Sequence, residues 1–429
     1  MLVSKLFLFF FILQKDRSEG MTSALDSLEQ QDTWEEFLSY KLSNRYISKK
    51  EKEQFTSFVS EKRYSKVASA IRKNGGLSFP ARREINKSGT SKKRTVFTFS
   101  DDENIYLKAL GYLLYRYDGK LSPRCYSFRR TISARDAIFD ILSQKDRDSL
   151  YCFKADISNY FNSIPAKSLV EVLKEIITDD PKLLSFLSDL LLSGKSTLPD
   201  GTVSEEPRGA MAGIPVSPFF ANVYLLSMDR YFEEKGVSYF RYSDDILIFS
   251  RSREDLDTHI ADFYRQIEEK GLSVNPKKVS VSSPGEPWEF LGFCYTDGQV
   301  DISHVTLSKL KGKIRRKARA LLRWKTKTDA SFERAAKALI RTFNKKLYNE
   351  ENEDLFTWCR WFFPVITTEK SLREIDAYLL EYARYLYSGR HYKGNYRISY
   401  ENLKALGFKS LVHEYYTSRA SEEEKSLSE

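Results

Sequence analysis

Apolar residues recur every three or four positions over long reaches of the chain and run together in a few short stretches, two patterns that predict different elements. Residues 30–75 read as helical, with Trp34, Phe37, Leu38 and Leu42 at mixed three- and four-residue spacing. Residues 76–100 break that pattern with Gly, Pro and a basic loop before a strand-like TVFTF, and a helix is expected from about Glu103 to Tyr117. YCFKADI (151–157) reads as a buried strand ending on a carboxylate. Helices are expected over 166–195, where Leu169, Val170, Leu173, Ile176 and Ile177 repeat, and over 218–235. VSYFRY (237–242) and ILIFS (246–250), joined by SDD, predict a β-hairpin. A helix over about 254–270 stops at Gly271, and WEFLGFCY (288–295) reads as one further strand. From Thr306 the chain is helical and basic: residues 309–327 carry ten Lys or Arg, over an apolar stripe of Leu307, Leu310, Ile314 and Leu321. Trp324 within that stretch is open to two uses, stacking on a base or packing on the next helix. SEEEKSLSE (421–429) reads as a disordered tail.

Length and charge narrow the picture. A chain of 429 residues exceeds the usual single core and implies two or three cooperating subdomains. Lys and Arg outnumber Asp and Glu by 69 to 59, a net +10 that favours a polyanionic partner, nucleic acid or an anionic membrane. Cys125, Cys152, Cys294 and Cys359 lie far apart, and His259, His304, His391 and His413 show no ligand spacing. A zinc site and a disulfide framework are therefore not expected, and reduced thiols in a cytoplasm are. The apolar run LVSKLFLFFFIL (2–13) is too short to span a bilayer and lacks a small-residue cleavage site. The reading adopted is that the native start is Met21 and that residues 1–20 are a start-site artefact. No other stretch is apolar enough to cross a membrane, so no membrane partner is expected.

The candidate chemistry lies in two acidic places, Asp156 and Asp244–Asp245. Transfer of a nucleotide to a 3′-hydroxyl is served by two divalent cations, and clustered carboxylates bind hard Mg²⁺ while repelling one another without it. A strand-end Asp beside an Asp-Asp hairpin on a neighbouring strand supplies such a cluster. Alone, neither signal is specific, because Asp is a favoured turn residue and a common helix N-cap.

Context makes the pair specific. KADISNYFNSIP (154–165) looks like polymerase motif A, GIPVSPFFANVYL (213–225) like motif B and RYSDDILIFS (241–250) like motif C. GLSVNPKKV (271–279) is similar to motif D, WEFLGF (288–293) to motif E, YSFRRTISARDAI (126–138) to a bacterial GFRPGRS…DA segment, and KKRTVFTFS (92–100) to a fingers motif. These segments, in this order, resemble the reverse transcriptase family, whose motif C is Tyr-x-Asp-Asp. The resemblance implies a right-hand polymerase of α/β (α+β) class, with fingers, a palm of antiparallel sheet with helices on one face, and a helical thumb. The divisions expected are a helical N-terminal extension (21–85), fingers (86–150), palm with part of the fingers and motifs A to E (151–300), a basic helical thumb (301–390), a short C-terminal element (391–420) and the tail (421–429).

The resemblance also implies roles. Asp156, Asp244 and Asp245 would be the catalytic carboxylates and the ligands of two Mg²⁺ ions, with Asp245 close to the primer terminus. Phe161 matches a steric gate that excludes a 2′-hydroxyl, Tyr242 would pack beneath the primer, and Arg94, with Lys87 as a further partner, would grip the triphosphate. Ser217-Pro218 and Asn222 match the turn and helix that position the template base and incoming sugar, and Lys277 or Lys278 would lie near the pyrophosphate as a general acid. Ala212 stands where many relatives have Gln, which puts nucleotide affinity and fidelity in doubt and leaves the metal site alone.

An RNA-directed DNA polymerase that binds an RNA template, dNTPs and its DNA product follows from the resemblance. RNA-dependent RNA polymerases usually read Gly-Asp-Asp, and a scaffold that only binds RNA would be expected to have lost a carboxylate; this chain keeps all three. Pro215 in GIPVSP is similar to the retron type, yet neither V-T-G nor N-A-x-x-H occurs. NYRISYENLKALGFKSLVHEYY (395–416) looks like the ending of stand-alone bacterial reverse transcriptases of the unknown and defence-associated groups. The implied role is antiviral defence by copying a structured non-coding RNA. The alternatives are a retron or group II intron-derived enzyme, or a catalytically weak RNA-binding scaffold. Priming, protein partners and oligomeric state leave no mark in the sequence.

Overall fold

The computed structural model describes residues 22–43, 47–86, 93–144, 146–206, 209–348 and 357–428, with side chains to 421. The start-site reading of residues 1–20 falls outside the described residues. Two compact units make up the chain, Met1–Val281 and Ser282–Glu429.

In the first unit the helix starts are written in short-range polar pairs. Ser48 with Glu51, and Ser100 with Glu103, close reciprocal capping boxes on the helices Lys49–Ser60 and Asp101–Leu113. The N-terminal helices turn aromatic rings inward. Trp34 of Gln31–Ser43 is fully buried, stacked on Tyr64 at 4.9 Å and tilted against Tyr106 at 5.9 Å. Each large side chain so buried contributes roughly 1.5–3 kcal/mol. One continuous apolar core runs from Ala24 to Leu272, so the segment expected as an N-terminal extension is built into the same core as the site-bearing sheet.

The strands of this unit are β1 (Ala81–Asn86), β2 (Lys93–Thr98), β3 (Tyr151–Asp156), β4 (Lys195–Thr197), β5 (Val203–Glu205), β6 (Ser238–Tyr242), β7 (Asp245–Ser250) and β8 (Ser280–Ser282). They form two sheets, ordered β2-β1-β4-β5 and β6-β7-β3-β8. In the second, β3 and β6 flank β7 antiparallel. Ile246, Leu247, Ile248 and Phe249 are all buried, which is why β7 reads as an unbroken apolar run. Phe153 and Tyr239 both lie opposite Ile248 and so share one face. Phe153 packs against Phe263 of the helix Arg253–Glu269 at 5.3 Å, and Tyr239 stacks on Phe232 of Leu226–Glu234 at 4.9 Å. The expected α/β class, with an antiparallel sheet backed by helices, is the one observed.

Several boundaries differ from those expected. The 166–195 segment is two helices, Ala166–Ile176 and Pro181–Leu192, because Asp180 caps the second and Pro181 opens it. The 218–235 segment likewise divides into Ser217–Tyr224 and Leu226–Glu234. The basic loop before TVFTF hides β1, which pairs with β2 from Ala81↔Thr98 to Asn86↔Lys93.

The second unit opens with a three-stranded antiparallel sheet, β9 (Trp288–Phe290), β10 (Phe293–Thr296) and β11 (Gln299–Ile302). The run expected as one strand, WEFLGFCY, is thus a hairpin, turned at Leu291 (φ 49°) and Gly292 (φ 92°). This sheet groups with the C-terminal helices instead of with residues 151–281. The basic helix His304–Thr328 buries Leu307, Leu310, Ile314, Ala318 and Leu321, the expected stripe with one addition. Lys309, Lys313, Arg315, Arg316, Arg319, Arg323 and Lys327 stay exposed. Trp324 lies under the guanidinium of Arg334 at 5.6 Å, which takes up the packing alternative. The tail expected to be disordered continues the helix Leu411–Ser428, since Glu and Lys propagate a helix once it is nucleated. Among the described residues no helix is long and apolar enough to cross a membrane.

Candidate active site

Register brings the acidic positions together. Asp156, the last residue of β3, lies opposite Asp245, the first of β7, and Tyr242 lies opposite Asp245 on the other side. Ser243 and Asp244 form the two-residue turn between β6 and β7, with Ser243 in the left-handed region (φ 61°). The Ile157 N–H donates to the Asp244 carbonyl (3.1 Å) and the Asn275 N–H to the Asp156 carbonyl (2.8 Å), so the ladder continues past the carboxylates on both sides. Asp156 is only 5% exposed. Burial first, and then the charges of Asp156 and Asp245, push the Asp244 carboxyl above the usual carboxylate range.

A lysine answers this charge. Lys278 Nζ forms an ion pair with Asp156 Oδ2. Burial works against its ammonium, but the bond to Asp156 and the fields of Asp245 and Asp244 carry its pKa above the ordinary lysine value. Of the two lysines expected here, Lys278 is therefore the one at the carboxylates. Lys277 is exposed and donates its backbone N–H to Asn275 Oδ1 at 3.2 Å.

Hard oxygen donors that raise one another's cost of ionisation suit a hard divalent cation, and Asp156, Asp244 and Asp245 are the residues that would hold it. Among the described residues no three His, Cys, Asp or Glu side chains stand ready around one point, and Lys278 supplies the counter-charge at Asp156. A cation bound at Asp156 would compete with Lys278 for Oδ2.

Beneath the turn lies a buried polar network that sequence reasoning missed. Arg241 is fully buried, and its Nε donates to Asp229 Oδ1 (2.7 Å) while Nη2 reaches Asp229 Oδ2. The same guanidinium donates to the carbonyls of Ser243 (3.3 Å) and Asn222 (3.2 Å), and Tyr239 Oη donates to Asp229 (2.9 Å). Desolvation alone would favour neutral Arg241; the Asp229 carboxylate more than offsets it and keeps the guanidinium charged. From the other side, the Ser243 N–H donates to Ser127 Oγ (2.9 Å), which donates to Asn222 Oδ1 (2.9 Å), and Asn222 Nδ2 returns a bond to the Ser127 carbonyl (2.6 Å). The signal in the sequence was an Arg inside an otherwise apolar strand.

Two residues expected to position the template base and incoming sugar lie in the interior. Asn222 is buried, with both ends of its amide bonded to Ser127, and so braces the turn. Ser217 is buried too, its hydroxyl donating to the carbonyls of Ala210 and Met211 at the loop before motif B.

Phe161 sits half-buried on the single turn Tyr160–Ser163, five residues after Asp156, with its ring edge-on to Phe128 at 6.2 Å. Phe128 in turn meets Tyr242 at 6.2 Å. Asn162, also missed, is a connector: Nδ2 donates to the Thr95 carbonyl of β2 (3.1 Å), and Oδ1 accepts from the Ala212 N–H (2.9 Å). Glycine is needed at two places in this loop. At Gly209 (φ 59°) a Cβ would lie 2.6 Å from the Asn162 backbone, and at Gly213 (φ 107°) 2.9 Å from the Phe97 carbonyl. Arg94 is exposed on β2 opposite Ile85, and Lys87 lies outside the described residues.

A helix-backed antiparallel sheet that gathers strand-end and hairpin carboxylates at one edge has the form of a polymerase palm. Residues 71–295, more than half of the chain, match the family described as reverse transcriptase (RNA-dependent DNA polymerase), and the chain belongs to that family. The matched segment is an RNA-directed DNA polymerase domain, a nucleotidyltransferase. No curated protein matches the sequence. Similar solved structures include a telomerase from Candida albicans in complex with a TWJ fragment of telomeric RNA, at 12% identity and TM-score 0.42, over 81% of this chain and 66% of that one. Apo telomerase from Candida tropicalis, truncated from its C-terminal domain, is similar at 13% identity and TM-score 0.40, over 57% of this chain and 60% of that one. The chain therefore spans less than two thirds of the length of either.

Proposed function

We propose that this chain copies RNA into DNA by nucleotidyl transfer assisted by two Mg²⁺ ions at Asp156, Asp244 and Asp245. The observation that carries the reading is the Asp156↔Asp245 register with Asp244 at the adjoining turn. Bound there, the metal would lower the pKa of the attacking 3′-hydroxyl and neutralise the departing pyrophosphate. The protein's own part is positional. Arg241 and Ser127 fix the turn, Phe161 stands at the sugar side as the gate against a 2′-hydroxyl, and Tyr242 supports the primer end. Lys278, protonated and released from Asp156, is the candidate proton donor to pyrophosphate, and exposed Arg94 the candidate grip on the triphosphate. Replacing both turn carboxylates (Asp244→Asn with Asp245→Asn) should abolish extension of a DNA primer on an RNA template, and chelation should stop the parent enzyme until Mg²⁺ is restored. Undiminished extension by the double variant would end this reading.

The biological role proposed is antiviral defence through copying of a dedicated non-coding RNA. It is supported by the ending NYRISYENLKALGFKSLVHEYY, which looks like that of stand-alone bacterial reverse transcriptases of the unknown and defence-associated groups. Sequencing the RNA and cDNA that co-purify with the enzyme tests it: one adjacent structured transcript is expected, and a random sample of cellular RNA counts against it.

A further inference from the structure

We propose that Phe128 is a positioning residue for sugar selection: its ring fixes the angle of Phe161 and thereby sets how well the enzyme separates deoxy- from ribonucleotides. The proposal rests on the reading of Phe161 as the gate and adds a second residue to it.

Three observations carry it. Phe128 holds φ at 54°, a left-handed conformation that glycine or asparagine adopts readily and a bulky residue does not. Its neighbours impose this. Arg129 donates to the carbonyls of Ser122 (2.7 Å) and Asp118 (2.8 Å), the Arg130 N–H donates to Asp118 Oδ2 (3.0 Å), and Ser127 is locked to Asn222. Yet the strained residue is not tucked into the core, for it remains 39% exposed. A loop selected for its own stability would place Gly here. Strain kept at an exposed aromatic position points to use of the ring.

The ring's surroundings say which use. It stands between Phe161, which follows Asp156, and Tyr242, which precedes the turn, at 6.2 Å from each. It also lines a cavity of about 480 Å³ with Gly213, Pro215 and Asn222. Phe161 meets Phe128 edge-on and Tyr160 at 5.8 Å, so Phe128 is the exposed one of its two ring neighbours and Tyr160 the buried one. Without Phe128, Phe161 can turn away from the sugar.

Phe128→Gly separates the ring from the fold, because glycine relieves the backbone while deleting the side chain. The measurement is kcat/KM for a dNTP against the matching rNTP on an RNA template, with thermal unfolding alongside. Phe128→Gly should unfold no earlier than the parent and lower the deoxy-to-ribo ratio about tenfold, whereas Phe128→Tyr should keep the parental ratio. A parental ratio in Phe128→Gly, while Phe161→Ala loses selectivity, overturns the proposal and leaves the gate standing. A parental ratio in Phe161→Ala removes the gate and this proposal with it.

Discussion

The placement of the three carboxylates depends on a guanidinium that is itself wholly buried. Arg241 and Asp229 are both fully shielded from water, and removing one partner of such a pair typically costs about 3–5 kcal/mol because the other charge is stranded. Asp229→Asn is therefore expected to lower denaturant stability by that order. Exchanging both, as Arg241→Met with Asp229→Leu, should recover most of the stability, as replaced buried pairs often do. It should not recover turnover: the carbonyls of Ser243 and Asn222 lose their donor, and a turn displaced by about 1 Å reduces kcat on the order of 100-fold. Stability regained together with full kcat would show that the pair serves folding alone.

Among elements, the helix junction at Asp180 offers the sharpest test. Its carboxylate accepts from the N–H groups of Ala24 (2.7 Å) and Leu183 (3.0 Å), from Ser23 Oγ, and from Arg116 at 2.6 Å, capping two helices at once. Burial disfavours the charge, but these donors prevail and hold the pKa below its ordinary value. A depressed carboxyl contributes stability in full above its unfolded pKa, near 3.9, and loses it as pH falls through the folded value. Asp180→Asn should thus cost about 3 kcal/mol at pH 7, and the gap to the parent should narrow only below about pH 4, as followed by urea melts at stepped pH. The same junction shows what a sequence does and does not reveal. Helical periodicity was plain across 166–195, but Leu and Ile continue through the break, so the interruption rests on Asp-Pro and on a partner, Ala24, that is 156 residues away. The strands ending on Asp156 and starting after Asp244 were legible because they are short, apolar and bounded by polar turns. β1 was not, since ARREIN has no apolar alternation and owes its form to pairing with β2. At the site, the three carboxylates and Phe161 could be named from motif wording. Ser127, Asp229 and Asn162 could not, because their roles exist only once distant segments meet.

For the molecule as a whole, the excess positive charge is not spread evenly. The helix His304–Thr328 presents seven exposed cations opposite its buried stripe, while Lys311 is engaged by Glu374 and Lys325 by the carbonyls of Leu386 and Tyr387. If the exposed row neutralises phosphates, binding to an RNA–DNA duplex weakens with salt by a slope near 0.9 for each phosphate contacted. Arg315→Ala, Arg316→Ala and Arg319→Ala together should flatten the plot of log affinity against log salt by about two to three units. An unchanged slope would assign this face to solvent.

The carboxamide of Asn162 has a mechanical consequence. A single side chain clasps the strand that bears Arg94 and the loop that leads into the motif B helix, and Gly213 lets those two backbones nearly touch. If the β1–β2 ribbon closes over a triphosphate, these links would carry residues 210–213 with it, and the two displacements would be one movement, not two.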